Sequence, residues 1–257
     1  MASSTGSWRL LYRLPLLLLH VSIGLPLTLL FFSAPGRAMH ISERRLNDVM
    51  QAWWSGSLCR IFGVRRQVEG AFPPGPCLIA ANHISWLDIQ VLHSISPMGF
   101  VAKAEIARWP LAGWVAGFGD TVYHRRGSHD SSSSVMEAMK ERLAEHKKVA
   151  IFAEGGILAG DGVKRFHARL FGAAIESAVP VQPVMLRYQR NGYAYPEITF
   201  LRGEHFMANF FRLLRQAPCT AEVAILPTVA PEGKQRRELA SEAQFAVETA
   251  FTRGVTA

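Results

Sequence analysis

Short apolar runs alternate with longer segments of helical periodicity from residue 64 to the end of the chain. The apolar runs predict strands at 77–81, 99–102, 120–124, 149–153, 181–186, 197–201 and 222–227. Between them, apolar residues recur every three or four positions, which predicts helices at 131–146, 167–178, 205–216 and 236–251. This alternation predicts an α/β domain with a mixed, largely buried sheet flanked by helices.

The N-terminal forty residues follow a different pattern. An apolar stretch from Leu10 to Phe32 contains one internal cation, Arg13, and is long enough to cross or deeply enter a bilayer. Because Pro15 and Pro26 would bend or shorten a helix, a single span and a re-entrant or kinked anchor are both open. A signal peptide is the least favoured interpretation, since such apolar regions are shorter. Cations on both flanks leave the orientation open.

Residues 40–62 have apolar positions at roughly helical spacing beside several arginines. Trp53 and Trp54 suit a membrane interface or a packed core equally well. We therefore predict an N-terminal membrane anchor with an amphipathic helix over residues 1–62 and one folded domain over residues 63–257.

The charge balance favours an anionic partner. Lys and Arg exceed Asp and Glu by 28 to 20, a net charge of +8, which suits phospholipid head groups or nucleic acid. The apolar content of 49% favours the membrane, and without a zinc-finger spacing or a basic low-complexity tail we expect no nucleic-acid partner. Cys59, Cys77 and Cys219 are widely spaced, which argues against a disulfide framework and fits a reducing cytoplasm.

The loop after the predicted strand 77–81 reads Asn82-His83-Ile84-Ser85-Trp86-Leu87-Asp88. A histidine can take a proton from an alcohol near neutral pH, and a carboxylate on its other ring nitrogen stabilises the imidazolium. In one continuous helix the His83 and Asp88 side chains would lie about 140° apart, so we expect His83 in the loop and Asp88 in a helix that begins near Ser85. On these residues alone, capping or packing roles stay open. The chain has neither HExxH nor GxSxG, so we expect no metal and no serine nucleophile.

With its H-x4-D spacing, the segment NHISWLD resembles the first signature of the glycerolipid acyltransferases of the PlsC type. Three further segments resemble later signatures in the family's order: GDTVYHR at 119–125, FAEGG at 152–156 and VPVQPV at 179–184. The resemblance covers residues 64 to 190. It implies the glycerolipid acyltransferase fold, with residues 63–257 as the catalytic domain behind a membrane anchor.

The resemblance also implies roles for individual residues. His83 would be the general base on the acceptor hydroxyl and Asp88 its orienting partner, with direct attack on an acyl thioester and no cofactor. Arg125, Glu154 and Gly155 would help to hold the polar head of the acceptor. Lys103 lies where this family often has a basic residue.

The reaction implied is acyl transfer from acyl-CoA or acyl-carrier protein to a lysolipid, most directly 1-acylglycerol-3-phosphate to phosphatidate. The site would face the cytoplasm at the inner membrane. The third signature departs from the family, with Ala153 for proline, Gly156 for threonine or serine, and Ile157 where a cation often follows. Lyso-ornithine lipid or another lysolipid is therefore an alternative acceptor. A non-catalytic lipid-binding protein on the same fold is the alternative of a different class.

Overall fold

The computed structural model describes residues 6–33, 36, 38–41, 44–103, 121–124, 129–157 and 162–253. Its helices are α1 Ser7–Phe32, α2 Leu46–Ile61, α3 Leu87–His93, α4 His129–Ala144, α5 Gly172–Glu176, α6 Phe206–Arg215 and α7 Arg236–Arg253. Its strands are β1 His40–Ile41, β2 Arg44–Arg45, β3 Val64–Glu69, β4 Leu78–Ala81, β5 Gly99–Lys103, β6 Val122–His124, β7 Val149–Phe152, β8 Val181–Arg190, β9 Tyr193–Ala194 and β10 Cys219–Ile225. Short 3-10 helices cover Ala168–Phe171 and Pro196–Ile198.

The chain forms two compact units. The smaller unit contains Met1–Gln67, Ile84–Pro97 and Tyr188–Ala221, and the larger contains Val68–His83, Met98–Arg187 and Glu222–Ala257. Strands β3, β8 and β10 have residues in both. The functional division into 1–62 and 63–257 stays a prediction, because compactness alone does not report function.

The strands of the main sheet follow the order β3-β10-β8-β4-β7-β5-β6, and the larger unit contains the whole of β4, β5, β6 and β7. At its centre β4 pairs in parallel with β7 on one side and with β8 on the other. Strand β5 is parallel to both β7 and β6. Because the carboxyl ends of parallel strands meet at one edge of a sheet, the loops after β4 and β7 emerge side by side.

Alternate residues of the central strands face the helices of the larger unit, as the two-residue period of a strand requires. The shared core contains Leu78, Ala80, Val149, Ile151, Val181 and Met185 from strands, with Met139 and Leu143 of α4 and Leu239 and Val247 of α7. All four residues of β4 are buried. This confirms the predicted mixed α/β class with a buried sheet between helices; the short β9 of the smaller unit pairs antiparallel with the end of β8.

In the smaller unit one stripe of α1 is buried along its length. The stripe recurs every three or four residues: Arg13, Leu17, His20, Gly24, Thr28 and Phe32. Helices α2 and α6 pack against α1. A Cβ atom on Gly24 would lie 2.6 Å from the Trp54 ring, so this close approach requires glycine. The His20 and Trp54 ring centroids are 4.3 Å apart.

The opposite face of α1 is exposed and apolar. Leu11, Leu18 and Leu30 are 77%, 60% and 58% exposed. Among the described residues, α1 is the one helix long and apolar enough to cross a membrane by length and composition. The predicted hydrophobic N-terminal segment is therefore a continuous helix, with Pro15 and Pro26 inside it.

The predicted strand at 197–201 is wrong. Residues Pro196–Ile198 form a 3-10 helix instead. The Arg212 guanidinium donates to the carbonyl oxygens of Glu197 at 2.6 Å and Thr199 at 2.8 Å, acceptors that a strand would offer to a neighbour. Hydrogen bonds from Arg212, which is more than ten residues away in the sequence, therefore outweigh the local apolar pattern that predicts a strand.

Candidate active site

His83 lies in the loop directly after β4, as predicted. Its ring stacks on the ring of Phe152, the last residue of β7, with centroids 3.7 Å apart and planes 9° apart. The parallel register places Ala81 opposite Phe152, which brings the two aromatic rings to the same sheet edge. His83 is half-buried. Stacking fixes the plane of the imidazole while part of the side chain stays accessible.

Glu154 holds the loop that carries His83. Glu154 is only 6% exposed. The backbone N–H of His83 donates to Oε2 at 2.7 Å, and the N–H of Lys164 donates to Oε1 at 2.6 Å. One buried carboxylate thus satisfies backbone donors from two different loops, which is how buried charge is stabilised. A contact between Glu154 and an acceptor head stays a prediction.

Gly155 makes the turn that follows Glu154 possible. Its φ is +78°, a left-handed conformation that favours glycine. Its N–H donates to the Phe152 carbonyl oxygen at 3.0 Å, which closes the turn. Gly155 is exposed, and a Cβ atom on Gly156 would meet no atom within 4 Å. The turn therefore presents open space beside its backbone.

Asn82, directly before His83, ties the loop to strand β8. Its side-chain amide donates to the Leu186 carbonyl oxygen and accepts from the Leu186 N–H, each at 2.8 Å. The Asn82 side chain is nearly fully buried. It thereby extends the β4 and β8 pairing by one pair of hydrogen bonds and fixes where the loop begins.

Asp88 lies in the first turn of α3, which begins at Leu87, two residues later than predicted. Its Oδ2 accepts from the backbone N–H groups of Ile84 at 2.7 Å and Ser85 at 3.0 Å. Its Oδ1 accepts from the Tyr188 hydroxyl at 2.7 Å. Asp88 is fully buried. The pairing of the His83 and Asp88 side chains stays a prediction.

Trp86 anchors the same loop inside the smaller unit. Its ring N–H donates to Oδ1 of Asn209 at 3.0 Å. The ring packs edge-on against Phe62 and stacks on Phe210. Sequence reasoning gave no role to Trp86, Tyr188 or Asn209. Of these three residues, only Trp86 could have been found from the sequence, because it lies within the first signature.

The described side chains include no activated nucleophile at this site. Ser85 is buried, and its hydroxyl oxygen accepts from the Leu87 N–H at 3.4 Å. Burial raises the pKa of the Cys59 thiol to about 12 and those of Cys77 and Cys219 to about 11, so all three stay neutral thiols near pH 7. An imidazole base is the chemistry that these residues offer.

The remaining predicted residues are described in part or not at all. The backbone of Lys103 ends β5, and its side chain lies outside the described part of the chain. Arg125 lies outside the described residues. Within the described ranges, no three His, Cys, Asp or Glu residues come together in a way that could hold a metal ion.

Comparison with known proteins identifies relatives of this chain. A family model described as "Acyltransferase" matches residues 64–187. The chain is 36% identical over 243 residues to the lyso-ornithine lipid O-acyltransferase of Pseudomonas aeruginosa, covering 95% of this chain and 93% of that protein. It is 37% identical over 115 residues to the 1-acyl-sn-glycerol-3-phosphate acyltransferase of Neisseria gonorrhoeae, 45% of each chain.

A solved structure has the same fold. The crystal structure of the 1-acyl-sn-glycerophosphate acyltransferase PlsC from Thermotoga maritima aligns with a TM-score of 0.71 and 18% sequence identity, covering 95% of this chain and 97% of that chain. At this identity the likeness concerns the fold. It extends beyond the four signatures to nearly the whole chain.

Proposed function

The chain belongs to the acyltransferase family, and from that premise we propose that it transfers a fatty acyl group from a thioester to the free hydroxyl of lyso-ornithine lipid. The observation that carries the choice of acceptor is the 36% identity to the Pseudomonas enzyme along 95% of this chain. Similarity to the Neisseria enzyme covers 45% of the chain. Agreement over the full length includes the segments that surround the signatures.

His83 is the general base in the proposed reaction. Its imidazole takes the proton of the acceptor hydroxyl as the oxygen attacks the thioester carbonyl. The carbon–sulfur bond then breaks, and the departing thiolate takes the proton from the imidazolium. The half-buried, stacked imidazole and the neutral buried thiols support direct transfer without an acyl-enzyme. Asp88 would stabilise the imidazolium.

The altered third signature supports a zwitterionic acceptor. Gly156 supplies no hydroxyl and Ile157 no positive charge, and the Glu154 carboxylate accepts hydrogen bonds from two backbone N–H groups. A phosphate monoester would need more donors and cations than this turn supplies. An ornithine head, which carries its own ammonium beside its carboxylate, needs fewer.

Acylation of 1-acylglycerol-3-phosphate is the second candidate. It is favoured by the ordered PlsC-type signatures and by the 37% identity to the Neisseria enzyme over 115 residues. Arg125 and Lys103 would then contact the phosphate. A non-catalytic lipid-binding protein is not favoured, since the relatives found are named as enzymes and His83 and Asp88 are both present.

Membrane association follows from the apolar helix α1 and the membrane-lipid relatives. We further propose the cytoplasmic face of the inner membrane, because acyl-CoA and acyl-carrier protein are cytoplasmic thioesters. The buried stripe of α1 packs within the smaller unit from Arg13 to Phe32. Its exposed leucines would enter the lipid while the helix stays docked along that unit.

The proposal is tested by acyl transfer with purified protein in detergent. Labelled acyl-CoA and acyl-carrier protein are offered in parallel, each with lyso-ornithine lipid, 1-acylglycerol-3-phosphate and other lysophospholipids. Diacyl product from lyso-ornithine lipid is the expected result. Product only from 1-acylglycerol-3-phosphate would replace the first acceptor by the second. A folded, lipid-bound protein that acylates none of them would overturn the proposed function.

A further inference from the structure

We propose that Tyr188 is a positioning residue of the reaction, which fixes the orientation of the Asp88 carboxylate through the hydrogen bond from its hydroxyl. The inference rests on the proposed function, in which Asp88 orients and stabilises the catalytic imidazole. Tyr188 lies outside all four signatures, seven residues after Val181 at the start of β8. The tertiary structure brings Tyr188 next to Asp88, which lies 100 residues earlier in the chain.

The two carboxylate oxygens of Asp88 have different partners. Oδ2 accepts from the backbone N–H groups of Ile84 and Ser85, which hold it to the loop. Oδ1 accepts from the Tyr188 hydroxyl at 2.7 Å, a short distance typical of a hydroxyl that donates to a charged acceptor. With both oxygens held, the plane of the carboxylate is fixed.

The Tyr188 hydroxyl is a permanent donor. Asp88 is fully buried and Tyr188 is 2% exposed. Burial, and after it the neighbouring Asp88 carboxylate, raises the pKa of Tyr188 well above its ordinary value. The phenol therefore keeps its proton across the pH range in which an imidazole acts as a base.

The backbone that carries Tyr188 is itself fixed. In the smaller unit, the Tyr195 N–H donates to the Tyr188 carbonyl oxygen at 3.0 Å. Two residues earlier in the same strand, both backbone groups of Leu186 are bonded to the side chain of Asn82, the residue directly before His83. The hydroxyl therefore projects from a strand whose backbone is held by hydrogen bonds two residues before Tyr188 and at Tyr188 itself.

The positioning role makes a specific kinetic prediction. A carboxylate that must stabilise an imidazolium loses effect when it rotates, because the hydrogen bond depends on direction. Tyr188 is buried against Asp88 and has no role in holding substrate in the proposed reaction. Loss of its hydroxyl should therefore lower kcat and leave the KM values for both substrates unchanged.

Tyr188→Phe tests this, with Tyr195→Phe as the matched control. Tyr195 is also buried in the smaller unit, and its ring centroid lies 3.7 Å from the Arg190 guanidinium carbon. We expect Tyr188→Phe to lower kcat by about 10- to 100-fold, the range for a lost hydrogen bond to a charged group, with KM unchanged. The control should keep near-wild-type kcat. Equal losses in both variants, or no loss in Tyr188→Phe, would overturn the inference.

A double-mutant cycle separates positioning from general damage to the fold. In an Asp88→Ala background the Tyr188 hydroxyl has no carboxylate to orient, so Tyr188→Phe should cause no further fall in kcat. If Tyr188→Phe lowers kcat by the same factor with and without Asp88, Tyr188 acts independently of Asp88 and the inference fails. The thermal unfolding midpoint of each variant, measured in detergent, reports damage to the fold.

Hydrolysis of the acyl thioester by water, with no lipid acceptor added, gives a second readout. If the wild type hydrolyses thioester but acylates no lysolipid, the proposed function fails while the Tyr188 effect on hydrolysis still decides the inference. If the wild type acylates a lysolipid and Tyr188→Phe does so equally fast, only the inference fails. A wild type inert in both reactions would overturn both.

Discussion

The backbone N–H of His83 donates a 2.7 Å hydrogen bond to the carboxylate of Glu154, 71 residues further along the chain. The same carboxylate accepts from the Lys164 N–H. The first and third signatures are therefore joined through a buried acidic side chain and a backbone amide. This contact fixes the base that the proposed reaction needs, independently of any substrate contact that Glu154 makes.

Glu154→Gln is expected to impair catalysis by loosening the His83 loop. A neutral amide has one acceptor oxygen in place of two, so one of the two backbone N–H groups loses its partner. We expect kcat to fall about 10-fold or more and unfolding free energy to fall by about 1–3 kcal/mol, measured by acyl transfer and thermal unfolding in detergent. Glu145→Gln, an exposed residue paired with Lys147, is the control. Unchanged kcat and stability in Glu154→Gln would contradict this role.

His83→Ala should remove acyl transfer and leave membrane binding intact. Without the imidazole no described side chain of the loop can take the hydroxyl proton, and general-base catalysis contributes about 100- to 10,000-fold. Transfer rates and co-sedimentation with vesicles provide the two measurements. His40→Ala, at an exposed position of the smaller unit, serves as the control. Acyl transfer by His83→Ala at near the wild-type rate would contradict the proposed role of His83 as general base.

Arg13→Met should destabilise the docking of helix α1. The Arg13 residue is 2% exposed, and its guanidinium donates to the carbonyl oxygens of Leu214 at 3.1 Å and Gln216 at 2.8 Å, at the end of α6. Methionine fills similar space without a donor, so these carbonyls lose a charged partner. We expect a loss of about 1–3 kcal/mol.

Thermal unfolding in detergent measures the effect of Arg13→Met. Arg60→Met is the control, since Arg60 is exposed and donates to the hydroxyl of Ser57. Its unfolding midpoint should stay close to that of the wild type, as surface substitutions usually change stability by under about 0.5 kcal/mol. Equal midpoints for both variants would contradict the anchoring role of Arg13.

Stability should depend on the ionisation of Glu204. Hydrogen bonds from Arg212, which donates to both carboxylate oxygens, lower the pKa of Glu204 from 4.5 to about 2. Because the folded pKa is depressed, the stabilisation is complete above pH 4.5 and is lost as the pH falls toward 2. The wild type should therefore lose more stability across this window than Glu204→Gln.

Unfolding midpoints at a series of pH values between 5 and 2 check this prediction about Glu204. Glu242→Gln provides the comparison, since Glu242 is an exposed partner of Lys234 and its removal should leave the pH dependence of the wild type. A Glu204→Gln protein whose midpoint falls as steeply as that of the wild type would show that Glu204 does not contribute.

Local patterns in the sequence were enough to predict most helices and strands and the placement of the first signature at a strand end. The strand at 77–81 was predicted from a short apolar run, and the helix at 236–251 from apolar residues that recur every three or four positions. The loop position of His83 and the helical position of Asp88 followed from the angular geometry of a helix. The prediction failed at 197–201, where Arg212 binds the carbonyl groups of Glu197 and Thr199.

The sequence by itself determined the class of fold, the loop position of His83, the helical position of Asp88 and the apolar N-terminal helix, because each depends on residues near one another in the chain. Only the tertiary structure decided which distant residues hold them. Glu154, Tyr188 and Leu214 contact His83, Asp88 and Arg13 across separations of 71, 100 and 201 residues. Such contacts depend on strand order and on the direction in which each side chain leaves its element, and local hydrophobic periodicity encodes neither.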